Sequence, residues 1–118
     1  MTKLLLSALF LGNIIVTSYR SVPEQTKPTH CNITSIGEHC NVHGIAISQD
    51  WLLSGKLHYG DLLYIEGIGF KIVNDTMAVR KHNTMDVWVQ TYEDEKAFDI
   101  KFGKQKLKVW LILPLEER

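Results

Sequence analysis

The 118-residue chain lacks most of the features that would place it in a specialised class. It has no excess of either charge. Thirteen Lys and Arg balance 13 Asp and Glu, so no broad cationic field exists to hold nucleic acid. Three Pro and eight Gly are too few for a collagen-like or low-complexity chain. No apolar run reaches the ~20 residues that a membrane-spanning helix needs. No internal repeat, nucleotide-binding glycine loop, Ser/His/Asp set or Cys nucleophile pattern is present. With 45% hydrophobic residues, the chain has material for one compact domain and little room for a second. Nothing in it specifies an oligomer, so a monomer is expected.

Cysteine is scarce as well. Cys31 and Cys40 lie in a polar stretch, where they can close a short disulfide or stand as two thiols. Cys31, His39, Cys40 and His43 lack the paired C-x-x-C element of zinc sites, so no metal is expected, and no cofactor motif is found.

At the amino terminus Lys3 precedes a short apolar run, LLLSALFL, which has the shape of an export leader. No Ala-x-Ala cleavage signal follows it. Residues 14–19 (IIVTSY) alternate and are β-branched, as a strand of the folded domain would be. Residues 1–13 are therefore an export leader or N-terminal segment, 14–114 the domain, and 115–118 a tail.

Residues 21–42 carry no sustained period and read as a long loop. Short strands are expected at 44–48, 61–66, 69–74, 85–89 and 107–113, with a hairpin at Gly67-Ile68-Gly69 and Pro114 ending the last strand. Residues 50–57 suit one helical turn. Thr91 is placed to cap a helix whose first turn is acidic, whose buried side would be Tyr92, Ala97, Phe98 and Phe102, and whose stop is Gly103. The pattern predicts a mostly β domain closed into a small barrel.

Three aspartates stand at the edges of these strands: Asp50 in AISQD, Asp75 in KIVNDTM and Asp86 in MDVW. Together with VTSY (16–19), ITSIG (33–37), YIEGIG (64–69) and FGKQKLKVWLI (102–112), they resemble the 3D domain, named for its three aspartates. The likeness spans roughly residues 16–113. Where that family often has Asp-Thr-Gly-Gly, this chain has Asp75-Thr76-Met77-Ala78. The family belongs to the double-psi β-barrel group, with the catalytic barrel of membrane-bound lytic transglycosylase A and relatives of rare lipoprotein A. The resemblance implies a mostly β, six-stranded double-psi barrel with one short helix.

It also implies an activity and an address. The expected substrate is the glycan strand of peptidoglycan, outside the cytoplasm, in a bacterial or phage-encoded protein that is secreted, periplasmic or held in the cell envelope. Lytic transglycosylases cleave the MurNAc-β-1,4-GlcNAc bond and close a 1,6-anhydro ring. The sugar's own 6-hydroxyl is the nucleophile, so one carboxyl suffices where ordinary glycosidases need two. By the resemblance Asp86 is that acid/base. Asp75 and Asp50 raise its pKa, orient it or bind sugar hydroxyls. Thr34, Ser35, Thr76, Tyr59 and Arg80 are the candidate substrate-binding residues, with Trp51 and Tyr64 as further sugar-stacking candidates. The alternative is a non-catalytic barrel that only binds glycan.

Overall fold

The computed structural model describes residues 5–22, 33–103 and 105–115. Its strands are β1 (Leu5–Tyr19), β2 (Gly44–Ile47), β3 (Leu62–Ile65), β4 (Gly69–Thr76), β5 (Thr84–Trp88) and β6 (Lys106–Leu115). Two helices lie among the described residues, α1 (Gln49–Leu53) and α2 (Tyr92–Lys101). The six strands close into a barrel in the order β1-β5-β2-β4-β3-β6. The closed, mostly β architecture expected from the sequence is the one that forms.

The connections follow from that order. β5 lies between β1 and β2, so the chain leaving β1 must cross β5 to reach β2. β2 lies between β5 and β4, so the chain leaving β4 must cross β2 to enter β5. Pairs β1/β5 and β2/β4 are parallel, and the other pairs are antiparallel. These two interleaved crossovers are the psi connections of the expected barrel.

The interior is filled by the inward residues of each strand: Ile14 and Val16, Ile45 and Ile47, Leu63 and Ile65, Val73, Met85 and Val87, and Leu107, Val109 and Leu111. Trp51 of α1, Leu57 and Phe98 of α2 close the packing. A barrel of this size has no room for more than side chains. β-branched residues dominate because they fit the pleat with little loss of rotamer freedom.

Two bulges reset the alternation. In β1, Phe10 pairs with Trp110 and Gly12 with Val109, leaving Leu11 as the extra residue. In β4, Val73 pairs with Ile45 and Asp75 with Ala46, leaving Asn74 as the extra residue. A bulge shifts parity by one, so residues on either side of it face opposite ways from what a strict period of two gives. Asn74 is buried against Gly44, where an added Cβ would collide with its carboxamide.

Several boundaries differ from those read in the sequence. β1 begins at Leu5, so the segment read as a leader enters the sheet and pairs with β6. The helical turn is α1, five residues long, so the described residues hold two helices where one was expected. β6 continues through Pro114 to Leu115, because β3 pairs with β6 only as far as Ile112 and the missing N–H costs no ladder bond there. Thr91 caps α2 by accepting the Asp94 N–H at 3.1 Å. The buried side of α2 is narrower than expected: Phe98 and Phe102 pack inward, while Tyr92 and Ala97 are exposed. Cys31 lies outside the described residues, and with it the question of its pairing to Cys40.

Candidate functional site

One cross-strand row runs over the outer surface of the barrel through four strands. Thr17 of β1 lies opposite Asp86 of β5, Asp86 opposite Ala46 of β2, and Ala46 opposite Asp75 of β4. The bulge at Asn74 brings Asp75 into this row. Two inter-strand spacings separate the aspartates, about 10 Å between their backbones. Ala46 between them supplies a low floor. The two crossovers wall the floor and make a groove of about 810 Å³.

The first crossover supplies one wall. Residues 33–39 form a tight turn closed by an Ile33–His39 bridge, with Thr34 N–H donating to Glu38 O (2.8 Å) and Gly37 N–H to Thr34 O (3.0 Å). Gly37 has φ 80°, a conformation that favours glycine. The Thr34 hydroxyl is buried and accepts the Glu38 N–H at 3.2 Å. The second crossover is tied down by Met77 N–H to Ile47 O (2.9 Å) and by the Gln49 side chain donating to Met77 O (3.3 Å).

The two aspartates have different environments. Asp75 accepts three hydrogen bonds: from the Tyr19 hydroxyl, the Ser35 N–H and the Thr76 N–H, each at 2.9 Å. The first of these bonds joins Tyr19 of β1 to Asp75 of β4 across the groove that both line. Tyr19 is 6% exposed. Burial, reinforced by the neighbouring Asp75 carboxylate, pushes the Tyr19 phenol far above its ordinary value, so it stays a donor.

Asp86 receives one such bond, from the Thr17 hydroxyl at 2.6 Å. The described residues give its second oxygen no hydrogen-bond partner. Burial raises its pKa to about 6. The Thr17 bond and Lys81 pull the other way, while Glu95 and Asp75 add to the rise. Asp86 thus titrates close to neutrality and can both donate and accept a proton, as general acid/base work requires.

The groove brings together Asp75, Asp86, Thr34, Ser35, Thr76 and Arg80 from the residues singled out in the sequence. Tyr59 stands at its rim, its hydroxyl 2.9 Å from that of Ser35. Asp50 is not among the lining residues. It sits in the first turn of α1 and accepts the N–H of Asn83, a residue at φ 50°, at 3.0 Å. Burial works to raise its pKa, but the Ser48 hydroxyl and the Asn83 N–H outweigh it and hold the carboxyl below its ordinary value. Trp51 belongs to the core, and Tyr64 lies on β3, opposite β5 in the barrel, so neither can stack on a sugar beside Asp86.

Sequence reasoning missed Tyr19 and Thr17 as members of the site, while Lys81, weighed beside Arg80 as a contact for the glycan's carboxylates, does line the groove. VTSY was available as a motif, but its partners lie 56 and 69 residues away. Among the described residues no group of three or more His, Cys, Asp or Glu side chains is placed to hold a metal ion. No helix of the described residues is long and apolar enough to cross a membrane. Fold and groove together define a small β-barrel with a two-carboxylate cleft on its wall. Comparison with protein-family models and with curated proteins finds no match to this chain.

Proposed function

We propose that this chain cleaves the glycan strand of peptidoglycan as a lytic transglycosylase, with Asp86 as the single general acid/base. The observation that carries this reading is the inequality of the two carboxyls. Asp86 sits in the groove with a pKa of about 6 and one hydrogen bond, whereas Asp75 is engaged by three donors. A carboxylate held by three donors is a poor nucleophile. One working carboxyl is enough when the sugar provides the nucleophile.

Asp86, protonated, donates to the glycosidic oxygen as the bond to the anomeric carbon breaks. The resulting carboxylate then accepts the proton of the C6 hydroxyl as that oxygen attacks the anomeric carbon and closes the anhydro ring. Asp75, through its bonds from the Tyr19 hydroxyl and the Ser35 N–H, fixes both residues around the cleft. Arg80 and Lys81 provide cationic contacts for the acidic groups of the muramyl residue. Export and action in the cell envelope are part of this reading.

The test is digestion of purified peptidoglycan by the chain and by Asp86→Asn, with products resolved by mass spectrometry. Anhydro-muropeptides from the parent and none from the variant are expected. Products carrying one additional water would mean hydrolysis. Glycan bound without any cleavage would make the barrel a binding module.

A further inference from the structure

Strand β1 is paired along one edge for about three-quarters of its length and along the other for only a third of it. The first edge meets β6 over residues 5–15; the second meets β5 only over residues 15–19. Among the described residues no strand pairs with that second edge over residues 5–14. Such an edge offers a row of backbone N–H and C=O groups to any strand that can align with it. Natural edges are usually blunted by Lys, Pro or a bulge. Residues 5–10 (LLSALF) have no charge, no Pro and no Gly, and the bulge at Leu11 comes only after them.

Both faces of this edge carry exposed apolar side chains. Leu6, Ala8 and Phe10 share one face, with Leu6 57% and Phe10 48% exposed; Leu9, on the other face, is 54% exposed. Leu113 of β6, opposite Ser7, is exposed beside them.

We propose that two copies of this chain associate through antiparallel pairing of residues 6–10, which joins the barrels by a continuous β6-β1-β1-β6 sheet. A second copy fits this edge better than another partner for three reasons. Its edge has the same length and the same absence of charge, so nothing repels it. A two-fold axis makes every contact twice, which is the commonest geometry of self-association. Opposite residues in a pleated sheet share a face, so the axis must pass through a residue. Centring it on Ala8 sets Leu6 of each copy against Phe10 of the other, an aliphatic–aromatic cross-strand pair. The paired segment is short, well under a standard interface, so the dimer should be weak and dissociate on dilution. The groove, built at the other end of β1, stays open in both copies. This association departs from the monomer expected from the sequence.

The test is sedimentation velocity of the full chain between 1 and 100 µM, with hydrogen exchange of the amides of residues 6–10 across the same range. A monomer–dimer equilibrium and at least tenfold slower exchange at the high end are expected. Ala8 is exposed, so Ala8→Lys and Ala8→Glu should keep the parent's circular dichroism and Tm while each stays monomeric at 100 µM. Mixing the two variants should restore dimers, because unlike charges then face each other across the axis. A parent that is monomeric at 100 µM overturns the proposal. So does a dimer indifferent to both substitutions, or a monomer that instead binds lipid vesicles through this segment.

Discussion

Strands β1 and β4 each serve two outer rows of the barrel that share a geometry and differ in chemistry. One row is Thr17, Asp86, Ala46 and Asp75, crossing β1, β5, β2 and β4. The other is Phe10, Trp110, Tyr64 and Phe70, crossing β1, β6, β3 and β4. In the aromatic row each ring meets the next at centroid distances of 5.5, 6.0 and 5.0 Å, tilted or edge-on, so its groups satisfy one another. The polar row holds a small residue at its middle and a carboxyl with only one oxygen hydrogen-bonded among the described residues. A row whose members saturate each other stabilises the sheet. A row with a gap and a carboxyl whose burial raises its pKa is fit to bind and react, and it weakens the fold that carries it.

Asp86→Asn should separate these properties most sharply. Muralytic rate should fall about 10²–10⁴-fold, the usual contribution of a general acid/base. Stability should move the opposite way. Asp86 holds its proton up to about pH 6 in the fold, against an ordinary value of 3.8, so the folded state binds more protons between roughly pH 4 and 6. Stability therefore falls as pH rises through that window, and the full loss, of the order of 3 kcal/mol, is in place above it. In thermal melts the Asn variant should gain most over the parent at pH 8 and nothing near pH 4. The parent's activity should decline on the alkaline side with an apparent pKa of about 6, as the acid form is lost.

Trp110→Ala is the matching test of the aromatic row. It removes two ring contacts from a half-buried position and should cost about 2–3 kcal/mol in urea unfolding, with kcat and KM nearly unchanged. A large loss of activity at equal folded fraction would break the division between the rows. Tyr19→Phe should have a smaller effect, about 1–2 kcal/mol for the lost bond to a carboxylate, with activity reduced roughly tenfold as Asp75 loses one of its three donors. Asp50→Ala should have the smallest effect. Loss of the Asn83 N–H acceptor should cost about 1 kcal/mol or less and leave activity within about twofold of the parent. An activity loss comparable to that of Asp86→Asn would return Asp50 to the catalytic set.

The sequence shows local features well. Thr91 and the acidic turn after it mark the start of α2 because a cap is satisfied within four residues. The strands at 61–66 and 85–89 are visible because their inward residues alternate without interruption. The bulges at Leu11 and Asn74 are not visible, since an extra residue leaves no compositional trace and only shifts parity. That shift is why Asp75, near the end of β4, faces the same groove as Asp86. The Tyr19–Asp75 bond is equally hidden, because it depends on barrel closure rather than on spacing. The start of β1 was obscured by its composition: an uncharged apolar run after Lys3 has the shape of an export leader, and here the same residues pair with β6.

The two interleaved crossovers also bear on how the chain reaches its native state. β1 pairs with β5 and β6, which lie at the far end of the sequence, and β2 cannot settle until both β4 and β5 exist. No contiguous piece of the chain contains a finished sheet, apart from the β3–β4 hairpin. Contacts of such long sequence separation make folding slow. During synthesis the apolar residues 5–16 must wait, unpaired, for the carboxyl-terminal strand to emerge. The period of greatest risk for this molecule therefore falls before the barrel closes.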